Sequence, residues 1–463
     1  ASCAVPRGGA GSEDRSVPLP GRRGYGKARV RWAAVSPMVV AQTAAGCACF
    51  RPVGAVRSPA YERMEGLRVL SLTTLYPGPT APQAGLFVRA RLQAMAAVST
   101  VTVVAPQARA SYSKGLTGIW IPAAEPGRTL DGSLEVWRPC WWYPPAAGPL
   151  NAVALALQAG PLVWRLHRER RFELIDAHFG QLDGIAAAIW SARLGLPFSV
   201  TLRGSEADHA EYGLRRRAMA WSFRRAAAIV ALSERLAQLA VSLGADPARV
   251  CVIPNGIDET VFHPKDRSRS RAEEGLAGER LILMAGHLIE LKGYHVAVRA
   301  LRGLVDRGHD AHLWIAGGGG GVASYEAEIR REIAQQDVAK RVRLLGAQPQ
   351  ERLARLMSAA DVFCLASRRE GFPNVLQESL ACGLPAVATN VGAVPQMLPD
   401  GRYGIIARAG EDGALLEALD VALRREWDRS TISAWGMRRS WPNVASEVIQ
   451  AFEKACLPGG MGG

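Results

Sequence analysis

Ser367-Arg368-Arg369-Glu370-Gly371-Phe372-Pro373-Asn374-Val375-Leu376-Gln377-Glu378 sets two carboxylates eight positions apart, across a change from strand-like to helix-like patterning. Before it, Asp361-Val362-Phe363-Cys364-Leu365 reads as a buried strand; after it, Asn374 to Cys382 reads as a helix with Pro373 near its first position. The amide N–H groups of Asn374, Val375 and Leu376 would lack intrahelical acceptors and lie at the positive end of the helix dipole, where a diphosphate can be held. Glu378, one turn in, can accept two hydrogen bonds from a ribose diol. In isolation the pair is as well explained by one solvated loop acid and one on a helix face, so the surrounding pattern has to decide.

Outward from this turn, strand-like and helix-length runs alternate from Leu67 onward, the pattern of parallel sheets with crossover helices. Strands are expected at 68–72, 101–105, 174–177, 199–202, 228–232 and 250–253, and in the second half at 281–285, 312–316, 343–345, 361–365 and 386–389. The fold class is α/β, with two Rossmann-like units. The expected boundaries are an N-terminal domain over 64–253, a hinge over 254–264, a C-terminal domain over 265–440 and a closing helix and tail over 441–463. Residues 1–63 are rich in Gly, Ala, Arg and Pro without a period, and read as a disordered or wrongly included leader. Basic Arg22 to Arg31 followed by weakly apolar Ala33 to Ala45 and Gly46-Cys47 has the order of a signal with a lipid-attachment cysteine; its interior position, Pro37 and Gln42 argue against that.

The chain has 463 residues, 48% apolar and 21% charged, with a formal net charge of +14. Half of that surplus lies in residues 1–63, so the body is only mildly basic. This fits anionic nucleotide sugars or peripheral contact with an anionic membrane face, and no basic-aromatic motif points to nucleic acid. Eight cysteines are scattered without zinc spacing, which reads as reduced thiols in the cytoplasm. No apolar run reaches the 18 or so residues of a spanning helix.

Other candidates sit at strand ends. Ser71-Leu72-Thr73-Thr74-Leu75-Tyr76-Pro77 leads to Gly85, which opens a helix, and a turn there exposes backbone N–H groups where open α/β sheets bind ligands. Lys292 precedes another helix and can neutralise charge on a leaving diphosphate, as a metal does elsewhere. His178 and Arg203 end two strands of the first domain; arginine cannot serve as a base, but it can clamp a phosphate or carboxylate. His178 reads equally as a structural cap. Arg138 to Pro145 is aromatic and proline-rich, and an apolar helix over 150–166 ends among arginines, a surface suited to a lipid-bearing acceptor or to a core helix with a solvated end.

Three ordered stretches, Ile253-Pro254-Asn255-Gly256-Ile257-Asp258, Gly286-His287-Leu288-Ile289-Glu290-Leu291-Lys292-Gly293 and Glu370 through Pro395, resemble the donor-binding core of the family 4 glycosyltransferases, which have the GT-B fold. The resemblance implies a retaining, metal-independent transferase without a cofactor, moving a hexose-type sugar from a nucleoside-diphosphate sugar to a cell-surface polysaccharide or lipid-linked glycan precursor. It implies catalytic roles for Glu370, Lys292, His178 and Arg203. Donor contacts would come from Gly85, Gly286, His287, Gly346, Gly371, Phe372, Asn374, Val375, Leu376 and Glu378. It also implies a closing helix that crosses back onto the first domain. The opening strands look most like the subgroup acting in teichuronic acid and exopolysaccharide assembly. Two positions depart from the pattern: His287 stands where an arginine is usual, and Arg203 where a histidine is usual. They keep open a catalytically silent nucleotide-sugar-binding scaffold, and an epimerase on the same fold is a third reading.

Overall fold

The computed structural model describes residues 66–79, 81–108, 127–143, 147–318 and 323–457. The expected leader, Pro144, Pro145 and residues 319–322, part of a glycine-rich stretch that follows Ala316 in the sequence, lie outside them.

Sixteen strands are described. They are β1 (Arg68–Leu72), β2 (Thr100–Val104), β3 (Gln107–Ala108), β4 (Gly127–Asp131), β5 (Leu134–Arg138), β6 (Cys140–Trp141), β7 (Leu174–Ala177) and β8 (Phe198–Leu202), then β9 (Ala228–Ala231), β10 (Val250–Val252), β11 (Arg280–Ala285), β12 (Ala311–Ala316), β13 (Val342–Gly346), β14 (Val362–Leu365), β15 (Ala386–Thr389) and β16 (Gly404–Ala407). One sheet runs β10-β9-β8-β7-β1-β2-β5-β4 and the other β13-β12-β11-β14-β15-β16, with β3 and β6 a separate pair. All neighbours are parallel except the hairpin β4–β5. Both sheets are covered on both faces, which is why their strands read as near-continuous apolar runs.

Strand alternation divides the core. In β1, Leu70 and Leu72 pack with Trp190, Phe198 and Phe223 on one face, while Val69 packs with Val88, Leu92 and Val103 on the other. In β11, Leu281 and Leu283 join Phe363 and Leu380, whereas Ile282 and Met284 join Val298, Leu301 and Leu419. The closing helix Trp441–Cys456 follows the second sheet yet places Val448, Ile449 and Phe452 in the core of the first, against the helix Leu86–Ala96. Gly256 is where this crossover meets the hinge: a Cβ there would stand 2.7 Å from the Trp441 nitrogen.

The sheets hold more strands than the amino-acid order suggested. In the aromatic, proline-rich stretch, Arg138 ends β5 and Cys140–Trp141 forms β6. Of the sixteen strands, β3, β4, β5, β6 and β16 had not been expected. No helix among the described residues is long and apolar enough to cross a membrane.

Candidate functional site

Parallel strands of each sheet end toward a cleft of about 310 Å³ between the two halves. One wall is the helix Leu86–Ala96, through Leu86, Phe87, Arg89 and Gln93; the other carries Gly256, Ile257, Asp258, His287, Gln350, Asn374 and Glu378. Glycine 85 opens the first wall. Its φ is 72°, and a Cβ there would stand 2.5 Å from the Leu75 carbonyl oxygen, so the strand-to-helix turn closes only with glycine.

The helix Asn374–Ala381 starts as expected, capped by Pro373, but not all of its first amides are available. The Leu376 N–H donates to the Pro373 carbonyl at 3.0 Å, and its side chain is fully buried in the core. That N–H is thus already bonded within the first turn. Among the described residues the N–H groups of Asn374 and Val375 keep no acceptor, and these two remain as anion donors. Glu378 lines the cleft, and burial pushes its carboxyl up to about 7. His287 is exposed at the same cleft.

Beside this wall, Lys292 Nζ lies 2.7 Å from Glu370 Oε1, to which Ser367 Oγ also donates at 2.6 Å. The two motifs, 78 positions apart in the chain, thus form one half-buried ion pair. Gly286, with φ 142°, sits beneath Lys292: a Cβ on it would come within 3.8 Å of the lysine Cε. The turn Glu370-Gly371 is clamped from two sides. A Cβ on Gly371 would stand 2.1 Å from the Arg203 carbonyl oxygen, and one on Gly392 2.4 Å from the Glu370 carbonyl oxygen. Phe372 packs against the cores of both halves. Val375 is half-buried against the second core. Gly346, at the end of β13 with φ 70°, accepts from the Gly317 N–H and is exposed, well away from the ion pair along the sheet.

His178 and Arg203 are inside the protein rather than at its surface. His178 is fully buried, its Nδ1 2.9 Å from an Arg203 nitrogen and its Nε2 3.0 Å from Asp176 Oδ2 and 2.9 Å from Ser71 Oγ. Arginine can only donate, so Nδ1 is the acceptor and the ring proton is on Nε2, shared between Asp176 and Ser71. Burial pushes the imidazole down to about 4 against the opposing pull of Asp176, so it is neutral at pH 7. Burial would raise Asp176, but its interactions with His178, Arg91 and Ser199 outweigh it and hold the carboxyl well below its ordinary value. With both ring nitrogens committed, His178 holds Arg203.

Sequence reasoning passed over three groups that complete the arrangement. Glu206, fully buried, accepts from the backbone N–H groups of Gly204 at 2.8 Å, Gly180 at 2.9 Å and Arg203 at 3.1 Å, so it shapes the β8 tip. Asn255 receives Arg203 and donates to Asn374. Asp183, fully buried, accepts from the Thr74 N–H at 3.1 Å and braces the loop after β1. Asn255 lay in a quoted motif and Glu206 three positions after Arg203; no local signal marked Asp183.

Two family models match this chain, one described as glycosyl transferase 4-like domain over residues 84–256 and one as glycosyl transferases group 1 over residues 266–436. A D-inositol 3-phosphate glycosyltransferase of Acidothermus cellulolyticus is 31% identical over 312 residues, covering 61% of this chain and 67% of that protein. Its counterpart in Nocardia farcinica is 33% identical over 234 residues, or 48% of this chain and 51% of that one. The chain thus spans about half the length of one such relative and about two thirds of the other. Among solved structures, sucrose-phosphate synthase from Thermosynechococcus elongatus superposes with a TM-score of 0.66 at 18% identity, covering 84% of this chain and 98% of that one. Anabaena Alr3699/HepE in complex with UDP and glucose superposes at 0.62 and 19%, covering 84% and 99%. Two α/β sheets facing a cleft, motifs matched in order on both sides of it and a relative of this identity and coverage agree: the chain belongs to the family 4 glycosyltransferases and has the GT-B fold.

Proposed function

We propose that the chain transfers a sugar from a nucleoside-diphosphate sugar held in the cleft, with retention at the anomeric carbon and without a metal. The observation that carries the reading is the convergence on one wall of Glu378 and the two unspent amides of the Asn374–Ala381 helix, next to the Lys292–Glu370 ion pair. Glu378 would take the ribose diol, the Asn374 and Val375 amides the diphosphate, and Lys292 the charge that grows on the leaving phosphate. Glu370 would hold the donor-sugar hydroxyls and stabilise positive character at the ring. The acceptor oxygen attacks the anomeric carbon from the face the diphosphate leaves; the bond from that carbon to the phosphate oxygen breaks, and the departing phosphate takes the acceptor proton. Gly346 and Gly286 would border the base and the diphosphate. The complex of Anabaena Alr3699/HepE with UDP and glucose supports a uridine donor.

For the acceptor, a membrane-borne glycan precursor is favoured by the helix Leu150–Arg170. Leu150, Val153 and Leu157 are exposed on one face, three and four positions apart, and Arg165 and Arg168 continue that face. The same stripe supports a site of action at the inner face of a cytoplasmic membrane. The named activity of the curated relatives favours a second acceptor, a phosphorylated inositol.

The test is a screen of the full chain against UDP-, GDP- and ADP-sugars, with and without EDTA. Stabilisation by one nucleotide family, with sugar release that EDTA leaves unchanged, supports the reading. Binding with no release or transfer points to a silent scaffold, and loss of turnover in EDTA removes the metal-independent mechanism.

A further inference from the structure

Four side chains form one directed hydrogen-bond chain from the first sheet to the wall of the cleft. His178 accepts from Arg203 at 2.9 Å, Arg203 Nη1 donates to Asn255 Oδ1 at 3.3 Å, and Asn255 Nδ2 donates to Asn374 Oδ1 at 2.8 Å. Arg203 and Asn255 are buried, and the Arg203 guanidinium also lies 5.1 Å from the centre of the Phe87 ring, beneath the opposite wall of the cleft.

The direction of each step follows from chemistry. A guanidinium has no acceptor, so Asn255 must turn its carbonyl oxygen to Arg203 and its amide nitrogen onward. Asn374 must then meet that nitrogen with its own oxygen. What Asn374 has left for the cleft it lines is an NH2 group, a hydrogen-bond donor, next to the main-chain N–H groups of Asn374 and Val375. Reversed, the amide would present an oxygen to the same place and repel an anion.

We infer that Arg203 is a positioning residue: through Asn255 it fixes the amide of Asn374 so that a third donor joins the helix terminus in holding an anionic diphosphate. This rests on the sugar-nucleotide reading of the cleft and deepens it. It assigns to Arg203 a role that a histidine at that position would fill only as a single donor, since two partners, His178 and Asn255, are served by different guanidinium nitrogens. It also explains why His178 must stay neutral, because a proton on Nδ1 would set N–H against N–H.

The experiment is a double-mutant cycle on the full chain. UDP, GDP and ADP are first titrated into the unmodified protein by calorimetry, and the one that binds is used throughout. Arg203→Met and Asn374→Ala are each expected to weaken it about tenfold, the size of one hydrogen bond to a charged group. The double variant is expected to be no weaker than Asn374→Ala alone. Asn255→Ala cuts the chain at its middle while leaving the Arg203–His178 contact in place, so it serves even where Arg203→Met does not fold; it should show the same lack of additivity with Asn374→Ala. Additive losses in these pairs, or unchanged binding in Asn255→Ala, overturn the inference while leaving the cleft reading intact. An unmodified protein that binds none of the three nucleotides overturns both.

Discussion

Gly371 and Arg203, on opposite halves of the molecule, approach so closely that a Cβ on Gly371 would stand 2.1 Å from the Arg203 carbonyl oxygen. The turn carrying Glu370 is therefore seated on the tip of β8, backbone against backbone. Gly371→Ala cannot be absorbed by a rotamer change. It is expected to cost about 1–3 kcal/mol by overpacking and to lower turnover by more than tenfold through displacement of Glu370. Chemical denaturation and initial-rate assays check both numbers; a variant with normal stability and rate would show that the seat gives way freely.

The Lys292–Glu370 ion pair links the two motifs proposed to act on the donor. Glu370→Ala is expected to reduce transfer at least a hundredfold while nucleotide binding changes little, because its proposed contacts are with the sugar. Lys292→Ala should weaken both binding and turnover, since its proposed partner is the diphosphate in ground and transition states alike. Transfer at the unmodified rate by Glu370→Ala would remove that residue from the mechanism.

The buried, neutral His178 makes stability depend on pH. The unfolded chain takes up a proton at this residue below about 6.5, whereas the folded protein resists until about 4. Unfolded molecules thus bind more protons in that window, and stability falls as pH drops through it and is flat above. His178→Gln removes the titration. Between pH 7 and 4.5 the unmodified protein should lose on the order of 2 kcal/mol more than this variant, measured by denaturant titration.

Glu378 gives the opposite sign. Its folded carboxyl, pushed up to about 7 by burial, keeps a proton that the unfolded chain loses above its ordinary value of 4.5. The contribution is present below 4.5 and is lost as pH rises through 7. Relative to the unmodified protein, Glu378→Gln should therefore gain stability from pH 5 to pH 8, and its nucleotide affinity should lose the part of the pH dependence that this carboxyl causes, leaving that of the phosphate. Parallel melting curves for the two proteins check the first, and calorimetry the second.

The exposed stripe on the Leu150–Arg170 helix offers a separate test. Replacing Leu150 and Leu157 together by Asp is expected to reduce co-sedimentation with anionic phosphatidylglycerol vesicles several-fold. The melting temperature should stay within a few degrees, because both side chains are largely exposed. Equal sedimentation of the two proteins would leave the membrane-borne acceptor without support.

Much of the scaffold was legible in the amino-acid order because buried parallel strands announce themselves as short apolar runs. Val69-Leu70 and Ile282-Leu283 are read as strand whatever surrounds them. The hairpin β4–β5 escaped notice because β4 is exposed and polar, although its two-residue loop Gly132-Ser133, with Asp131 opposite Leu134, carried a turn signal. Gly404–Ala407 was missed because four residues headed by a glycine have no period to read; its Gly404 is explained only by the Ala386 carbonyl, 2.2 Å from where a Cβ would be. For the candidate site, Glu370, Lys292, Asn374, Glu378 and Gly85 were singled out from turn chemistry together with the family resemblance, and both rest on local stretches at a strand end and a helix start.

What amino-acid order alone determined, then, was the alternation of elements, the turn that exposes helix N–H groups and the residue types offered there. What only the tertiary structure decided was which of those groups remain available. The Leu376 N–H is bonded to the Pro373 carbonyl within the first turn, and His178 and Arg203, both buried, are bonded to each other. Arg203 meets Asn255 across 52 positions and Asn255 meets Asn374 across 119. Patterning sets which face of an element is buried, but hydrogen-bond partners across such separations depend on how two independently patterned sheets are set against each other, and that is a property of the packed whole.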